Sequence, residues 1–346
     1  MKHFTRRNFV KVGAGLAAFV PAMKELASTN VSYAASIFSE NQTPANYFVA
    51  GHILSVRGNN LLIEDEEHLV TQVSVTSSTH LWRGGWISSS DKVKAGDFIY
   101  TRGALQGSTL RAVYAWVNIV NVPGIVTASG ADSVQLKGKN GTYEVRLNAQ
   151  TERYFGSALQ PGRVIATASP LHVIGLWDER TQSITATRVL TPNPEEKRVA
   201  VEPQDQAKTY NVVSPALSRY YYGLGSWFCC GSAWGPCSSA GHGACGTCNS
   251  SHYNCAWPDI GTNCYFVGCG EPSERVSCGS KISIYNHCTG KTVSTTVADC
   301  GPNEKDFCGQ KAPDCGSYYD RIVDMTPAAF SAIAPLDQGL CSVRCH

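Results

Sequence analysis

All fifteen cysteines fall between Cys229 and Cys345, and the first 228 residues hold none. The 346-residue chain is thereby split into a part that must fold on apolar packing alone and a part that can be stapled. The set is Cys229, Cys230, Cys237, Cys245, Cys248, Cys255, Cys264, Cys269, Cys278, Cys288, Cys300, Cys308, Cys315, Cys341 and Cys345. At this density, in a chain that leaves the cytosol, such a set reads as a disulfide framework. Each bridge over a modest loop contributes about 2–4 kcal/mol. The odd count leaves one cysteine unpaired, or available for an inter-chain disulfide. Cys245 and Cys248, flanked by His242 and His252, also have metal-ligand spacing. The cysteines are nevertheless spread through the whole region rather than gathered in tight pairs. The reading is therefore disulfides, with no metal and no cofactor.

Export is indicated at the other end. Thr5-Arg6-Arg7-Asn8-Phe9-Val10-Lys11 has the pattern of a twin-arginine signal, and a short apolar stretch from Val12 to Ala22 follows it. Ser32-Tyr33-Ala34 offers the small residues that a signal peptidase needs, which puts the signal at 1–34. No cysteine lies near that cut to carry a lipid, and no apolar run is long enough to span a bilayer. The expected location is extracellular or cell envelope, with no membrane association after the signal is removed. A net charge of +2 with 16% charged residues argues against a nucleic-acid partner, which would need a basic surface to displace counterions.

Residues 45–192 read as two copies of one unit of about 72 residues. "NNLLIED" matches "DSVQLKG", "TQVSVTSSTHLW" matches "TYEVRLNAQTERY", and "KAGDFIYTRG" matches "QPGRVIATAS". Period-two alternation in "VTQVSVT" and "TYEVRLN" marks half-buried strands. Five short strands per copy with glycine turns fit small barrels of the OB type, at 45–120 and 121–192. Their expected role is as spacer or docking modules. Trp82, Arg83 and Trp86 form a binding patch or cover one barrel end. The Pro-rich, charged stretch 193–217 reads as a linker, and the Cys-rich domain occupies 218–346.

In that last domain "KISIYNHCTGKTVSTTVADCGPN" reads as a hairpin ending at Asp299. "DMTPAAFSAIA" reads as a short helix capped by Thr326 with Pro327 in its first turn, and "GLCSVRC" as a closing strand. Gly243-Ala244-Cys245-Gly246, Tyr285-Asn286 with Thr289-Gly290-Lys291, Asp299-Cys300-Gly301-Pro302-Asn303, Asp324-Met325-Thr326-Pro327-Ala328-Ala329-Phe330 and Ser342-Val343-Arg344 follow in order. This series resembles the double-psi β-barrel of expansins and rare lipoprotein A-like proteins. The expected fold is thus all-β: two tandem small OB-like barrels, then a disulfide-rich double-psi β-barrel.

The resemblance implies a polysaccharide groove with Asp324 as the acid and Asp299 beside it. The plainer alternative is that Asp299 caps a turn and Asp324 the helix. Hydrolysis with inversion also needs a base across the groove, roughly 6.5–9.5 Å from the acid. Small inverting endoglucanases on this barrel carry Trp-Asp-Cys-Cys, whereas here the stretch is Trp227-Phe228-Cys229-Cys230, with phenylalanine in place of the base. The aromatic candidates for sugar stacking are Tyr318, Tyr319, Trp227 and Trp257, with Trp234 as a further one. The implied function is expansin-like binding and remodelling of a peptidoglycan, cellulose or chitin-like polysaccharide without hydrolysis. The alternatives are a lytic transglycosylase or other glycan-cleaving enzyme using Asp324 and Asp299, and a structural surface or matrix protein using the barrel as scaffold.

Overall fold

The computed structural model describes residues 47–193, 195, 217–231, 234–237, 242–260, 264–265, 274–303, 307–312 and 320–346. The expected export signal and nearly all of the expected linker, as well as Tyr318 and Tyr319, lie outside the described residues.

The first copy contains β1 (Tyr47–Arg57), β2 (Asn60–Asp65), β3 (Val70–Ser74), β4 (His80–Trp82), β5 (Trp86–Ile87), β6 (Phe98–Gln106) and β7 (Thr109–Val117). β1, β2 and β3 form an antiparallel meander, and β6 returns alongside β1. β7 then pairs antiparallel with β6 and parallel with β3, which closes a five-stranded barrel in the OB order. Strand alternation sends Ile53, Leu61, Ile63, Val73 and Leu110 inward to form the barrel's own core.

The second copy repeats this order strand for strand. It contains β8 (Ile119–Ser129), β9 (Ser133–Gly138), β10 (Gly141–Arg146), β11 (Glu152–Phe155), β12 (Ala158–Leu159), β13 (Pro170–Asp178) and β14 (Ser183–Thr191). The parallel β10–β14 pair closes it. Each copy thus has seven strands rather than the expected five. The extra two form a short hairpin hung on the last barrel strand, as β4–β5 is on β7. Those segments are too short to alternate visibly, yet Leu81 and Trp82 are buried.

The C-terminal barrel closes in the order β15 (Tyr221–Trp227), β23 (Arg321–Met325), β18 (Asn254–Trp257), β22 (Thr292–Cys300), β21 (Lys281–Asn286), β24 (Leu340–Cys345). β15–β23 and β18–β22 are parallel and the other pairs antiparallel, the double-psi arrangement. Two small hairpins decorate it: β16 (His242–Gly243) with β17 (Gly246–Thr247), and β19 (Asp259–Ile260) with β20 (Cys264–Tyr265). The "KISIYN…VADC" hairpin and the closing strand form as the sequence suggests. Helix α1 (Pro327–Ile333) follows β23 with proline in its first turn. Thr326 precedes α1 but its hydroxyl does not cap it. That hydroxyl faces the carbonyls of His252 and Asn254 instead, tying the helix start to β18.

One apolar cluster runs through all three units. Trp234 stacks on Phe98 of the first barrel with ring centroids 4.7 Å apart, and Tyr100 meets the edge of Trp227 at 5.9 Å. Arg102 on β6 is buried and donates to the Ala328 carbonyl at 2.8 Å, to Ser331 Oγ at 3.1 Å and to Tyr253 Oη at 3.2 Å. From the second barrel, Asn121 Nδ2 donates to the Trp227 carbonyl at 2.7 Å, and His172 donates to Asn121 Oδ1. Burial, aided by the nearby Arg321 charge, pushes His172 well below the usual histidine range, so the ring sits neutral in this joint. The two N-terminal barrels are therefore packed against the C-terminal one.

The cysteines depart from the expected single spare. Cys229–Cys237, Cys230–Cys248, Cys245–Cys278 and Cys264–Cys300 are bridged, and Cys288 and Cys308 are also disulfide-bonded. Cys245 and Cys248 each hold a different partner, so neither sulfur is free as a metal ligand. Cys269 and Cys315 lie outside the described residues. Three thiols, Cys255, Cys341 and Cys345, are free and buried. They sit on β18 and β24, and strand alternation puts Cys341 and Cys345 on the same inner face, one beyond the other. Parity could reveal one leftover sulfur but not that core packing holds three. Enclosed in this way, none of the three can bond to a second chain while the barrel is folded.

Burial pushes the Cys255 thiol up to about 12, and raises Cys341 and Cys345 as well. Because the thiolate is the reactive form, these three should resist iodoacetamide in the native protein at pH 8. They should be alkylated once the chain is unfolded without reductant, as peptide mass mapping would show. Labelling of Cys255 in the native state would contradict the buried assignment.

Candidate functional site

The register of the C-terminal barrel brings the two aspartates together. Ala256 on β18 lies opposite Asp299 on β22 and opposite Asp324 on β23. The three residues therefore point to the same side of the sheet, with the outer two separated by two strand spacings, about 9.5 Å between Cα atoms. This is the pairing that the motif order implies, and it follows from β18 threading between the two strands.

Their surroundings differ. Asp299 is half-buried, and its Oδ1 accepts the backbone N–H of Ala244 and of Cys300, each at 2.7 Å. The adjoining Gly243 is needed there: a Cβ would stand 2.4 Å from the Ala298 carbonyl and 3.1 Å from Asp299 Cβ. Asp299 thus anchors the Gly-Ala-Cys-Gly turn to the end of β22. Asp324 is buried, and its Oδ1 accepts from Arg321 Nη2 at 2.8 Å and from Ser226 Oγ. The same Arg321 nitrogen donates to Ser226 Oγ at 2.7 Å. Arg321 and Ser226 are themselves buried, and Gly301 lies over Ala256 near Asp324 Oδ2. Asp324 is thus the anion of an enclosed three-residue cluster and does not cap α1 with its side chain. Phe228, in the place where a base would stand, packs against Cys230, Cys248 and Ala298.

Sequence reading missed Arg321 and Ser226. Arg321 is three residues before Asp324 on one strand, but Ser226 comes from β15, 98 residues away in the chain.

The tryptophan candidates are not available to a sugar. Trp227 is 1% exposed with its Nε1 donating to the Leu336 carbonyl at 2.9 Å, and Trp257 is 0% exposed with its Nε1 donating to the Glu274 carbonyl at 2.8 Å. Trp234 is enclosed against Phe98. All three supply apolar area to the core, and each indole of the first two has its N–H satisfied there. Trp82, Arg83 and Trp86 do not make one patch either. Trp82 is buried, Arg83 is ion-paired with Asp97 at 2.6 Å, and Trp86 is half exposed.

An aromatic surface appears elsewhere on the same barrel. At the start of β15, Tyr222 and the preceding Tyr220 face outward with Tyr221 inward between them, the outer pair 52% (Tyr220) and 44% (Tyr222) exposed. On the neighbouring β24, Arg344 stands opposite Tyr222, and on β21 Tyr285 stands opposite Arg344. The guanidinium lies 4.7 Å from the Tyr220 ring centre and 5.1 Å from that of Tyr285. His346 packs on Tyr220 at 4.6 Å, and His287 stacks on Tyr222 at 6.1 Å and meets Tyr285 edge-on at 5.2 Å. Burial beside Arg344 holds His287 below the usual histidine range, so it is a neutral ring. Three adjacent strands thus present one face of tyrosine, histidine and arginine. The period-two tyrosines in "RYYYG" were the sequence signal for it, but which strands lie beside β15 could not be read there.

No family model matches the chain. No curated protein matches its sequence. Among solved structures, the Streptomyces papain inhibitor shares 20% identity over 37% of this chain and 93% of its own, with a TM-score of 0.23.

If the Asp324–Arg321–Ser226 cluster is structural, Asp324→Asn removes the buried carboxylate that faces the Arg321 guanidinium. The expected loss is about 3–5 kcal/mol of unfolding free energy in chemical denaturation. A loss below about 1 kcal/mol would instead leave Asp324 free for chemistry, since exposed pairs contribute that little.

Proposed function

We propose that this is an exported, expansin-like protein that binds an insoluble wall polysaccharide through the Tyr220–Tyr222–Tyr285–Arg344 face and does not cleave it. The observation that carries the reading is that face. Five aromatic or imidazole rings and one guanidinium share the outer surface at three adjacent strands, with two tyrosines about half exposed. Sugar rings offer apolar C–H faces to such rings, while the phenol and guanidinium groups can bond their hydroxyls. A sheet holds these groups at fixed spacing, so little side-chain entropy is lost on binding.

The non-hydrolytic part rests on the carboxylates. Asp324 Oδ1 is committed to Arg321 and Ser226, Asp299 Oδ1 to two backbone N–H groups, and Phe228 cannot activate water. The twin-arginine pattern at residues 5–11 and the many disulfides support delivery to the cell envelope or beyond.

The test is co-sedimentation with cellulose, chitin and peptidoglycan, with reducing ends assayed in the supernatant. The expected result is pelleting with at least one polymer and no new reducing ends. Tyr220→Ala/Tyr222→Ala should weaken pelleting about tenfold or more, the equivalent of about 1.4 kcal/mol. Undiminished pelleting of that variant would remove the aromatic face from the account. Steady release of reducing sugar would overturn the non-hydrolytic part, and anhydro-sugar products would favour a lytic transglycosylase.

A further inference from the structure

The internal repeat supplies a comparison that a single barrel could not. Thr79 Oγ1 donates to the Ala112 carbonyl and Thr151 Oγ1 to the Ala186 carbonyl, each at 2.8 Å, which fixes the register between the two copies. His80 and Tyr114, paired across β4 and β7, therefore correspond to Glu152 and Arg188, paired across β11 and β14. On the outer strand of each hairpin, Trp86 stands where the second copy has Leu159. In the second copy the polar side chains satisfy each other, as Arg188 Nε donates to Glu152 Oε2 at 2.7 Å. In the first copy three rings occupy the same places. His80 stacks on Tyr114 with ring centres 4.9 Å apart, and Trp86 stands at 80° to His80 at 6.1 Å. The fold does not require these rings, since the same strand order closes without them in the second copy. We infer that Trp86, His80 and Tyr114 form a second glycan-binding platform, on the first barrel, that stacks on the sugar rings of a polysaccharide chain.

Three features favour a sugar. First, the rings are open: Trp86 is 51% exposed, His80 is exposed and Tyr114 is half-buried. The indole N–H, the imidazole nitrogens and the phenol hydroxyl have no hydrogen-bond partner among the described residues. Flat rings beside free donors and acceptors suit a pyranose, which presents C–H bonds on its faces and hydroxyls round its edge.

Secondly, the platform is held in place. Tyr114 stacks in turn on the buried Trp116 at 5.6 Å, and Trp116 Nε1 donates to Asp337 Oδ1 at 3.0 Å. At the hairpin turn Arg83 pairs with Asp97 at 2.6 Å, and Gly84, at φ +69°, lies against Leu176 of the second barrel, which a Cβ would approach to 3.4 Å. Rings on a fixed hairpin lose little order when a ligand stacks on them. Thirdly, charge selects among the polymers that stack. Arg83 is the hairpin's one arginine or lysine and is committed to Asp97, so the hairpin keeps no guanidinium or ammonium for a phosphate backbone.

The ligand class rests on the polysaccharide reading, but the platform is separate from the Tyr220–Tyr222 face. The repeat itself provides a variant. His80→Glu/Trp86→Leu/Tyr114→Arg gives the first copy the side chains that the second carries in the same register, so the barrel should still fold. The indole N–H resonances of ¹⁵N-labelled protein are followed during titration with cellotetraose, with N-acetylchitotetraose and with single-stranded oligothymidylate, the Trp86 signal being the one absent from Trp86→Leu. The expected result is a saturable shift of that signal with a sugar, in wild type and in Tyr220→Ala/Tyr222→Ala alike, and none with the oligothymidylate. The folded triple variant should pellet with polysaccharide about tenfold more weakly than wild type, since a chain held at two places loses the gain from holding both. No saturable Trp86 shift with either sugar at millimolar concentration overturns the inference, as does a shift with oligothymidylate alone or undiminished pelleting of the folded triple variant. Pelleting of wild type without the Trp86 shift sinks only this platform. A Trp86 shift with undiminished pelleting of Tyr220→Ala/Tyr222→Ala sinks only the C-terminal face.

Discussion

The structure depends on apolar and aromatic surface that no one barrel can bury by itself. Trp227 ends β15 at the point where all three barrels touch. Its ring meets Tyr100 of the first, its carbonyl accepts from Asn121 of the second, and its own N–H is fixed within the C-terminal barrel. Trp234 against Phe98 and Arg102 under α1 extend the same joint. Full burial of one such side chain is worth about 1.5–3 kcal/mol, so the joint is a major part of the stability of the N-terminal barrels' placement.

The arrangement divides the work of β15 between its two ends. At the start, Tyr222 and the preceding Tyr220 face outward with Arg344 of β24 and His346 just beyond it. At the finish, Ser226 and Trp227 face inward, one into the Asp324–Arg321 cluster and the other into the joint. The enclosed end holds the barrel shut and docked, and the open end carries the face we propose for polysaccharide. Of the two carboxylates to which the family resemblance gives a groove, Asp324 belongs, in this chain, to the enclosed end, while Asp299 is half-buried. Their proximity through Ala256 is real, but enclosure by Arg321, Ser226 and Gly301 changes what Asp324 can do.

Much of the fold was legible because it rests on local rules. The internal repeat emerges as two sheets of identical strand order, and the alternation in "VTQVSVT" and "TYEVRLN" as β3 and β10. The hairpin ending at Asp299, the helix at Pro327 and the final strand are likewise where period and turn chemistry put them. What was not legible depends on partners distant in the chain. Whether a tryptophan stacks on a sugar or fills a joint is decided by residues such as Tyr100 and Phe98, more than a hundred positions before Trp227 and Trp234. Cysteine count gives parity, whereas the enclosure of Cys255, Cys341 and Cys345 is a property of the barrel interior. Asp324 was found by its motif, but its ionic partner Arg321 carried no motif of its own.

One apolar cluster joins the three barrels, so that they are not beads on a string. Differential scanning calorimetry of the mature, oxidised protein tests it most directly. A shared core predicts a single cooperative transition whose van't Hoff and calorimetric enthalpies agree. Two or three independent transitions, with the N-terminal pair melting apart from the disulfide-bonded barrel, would contradict it.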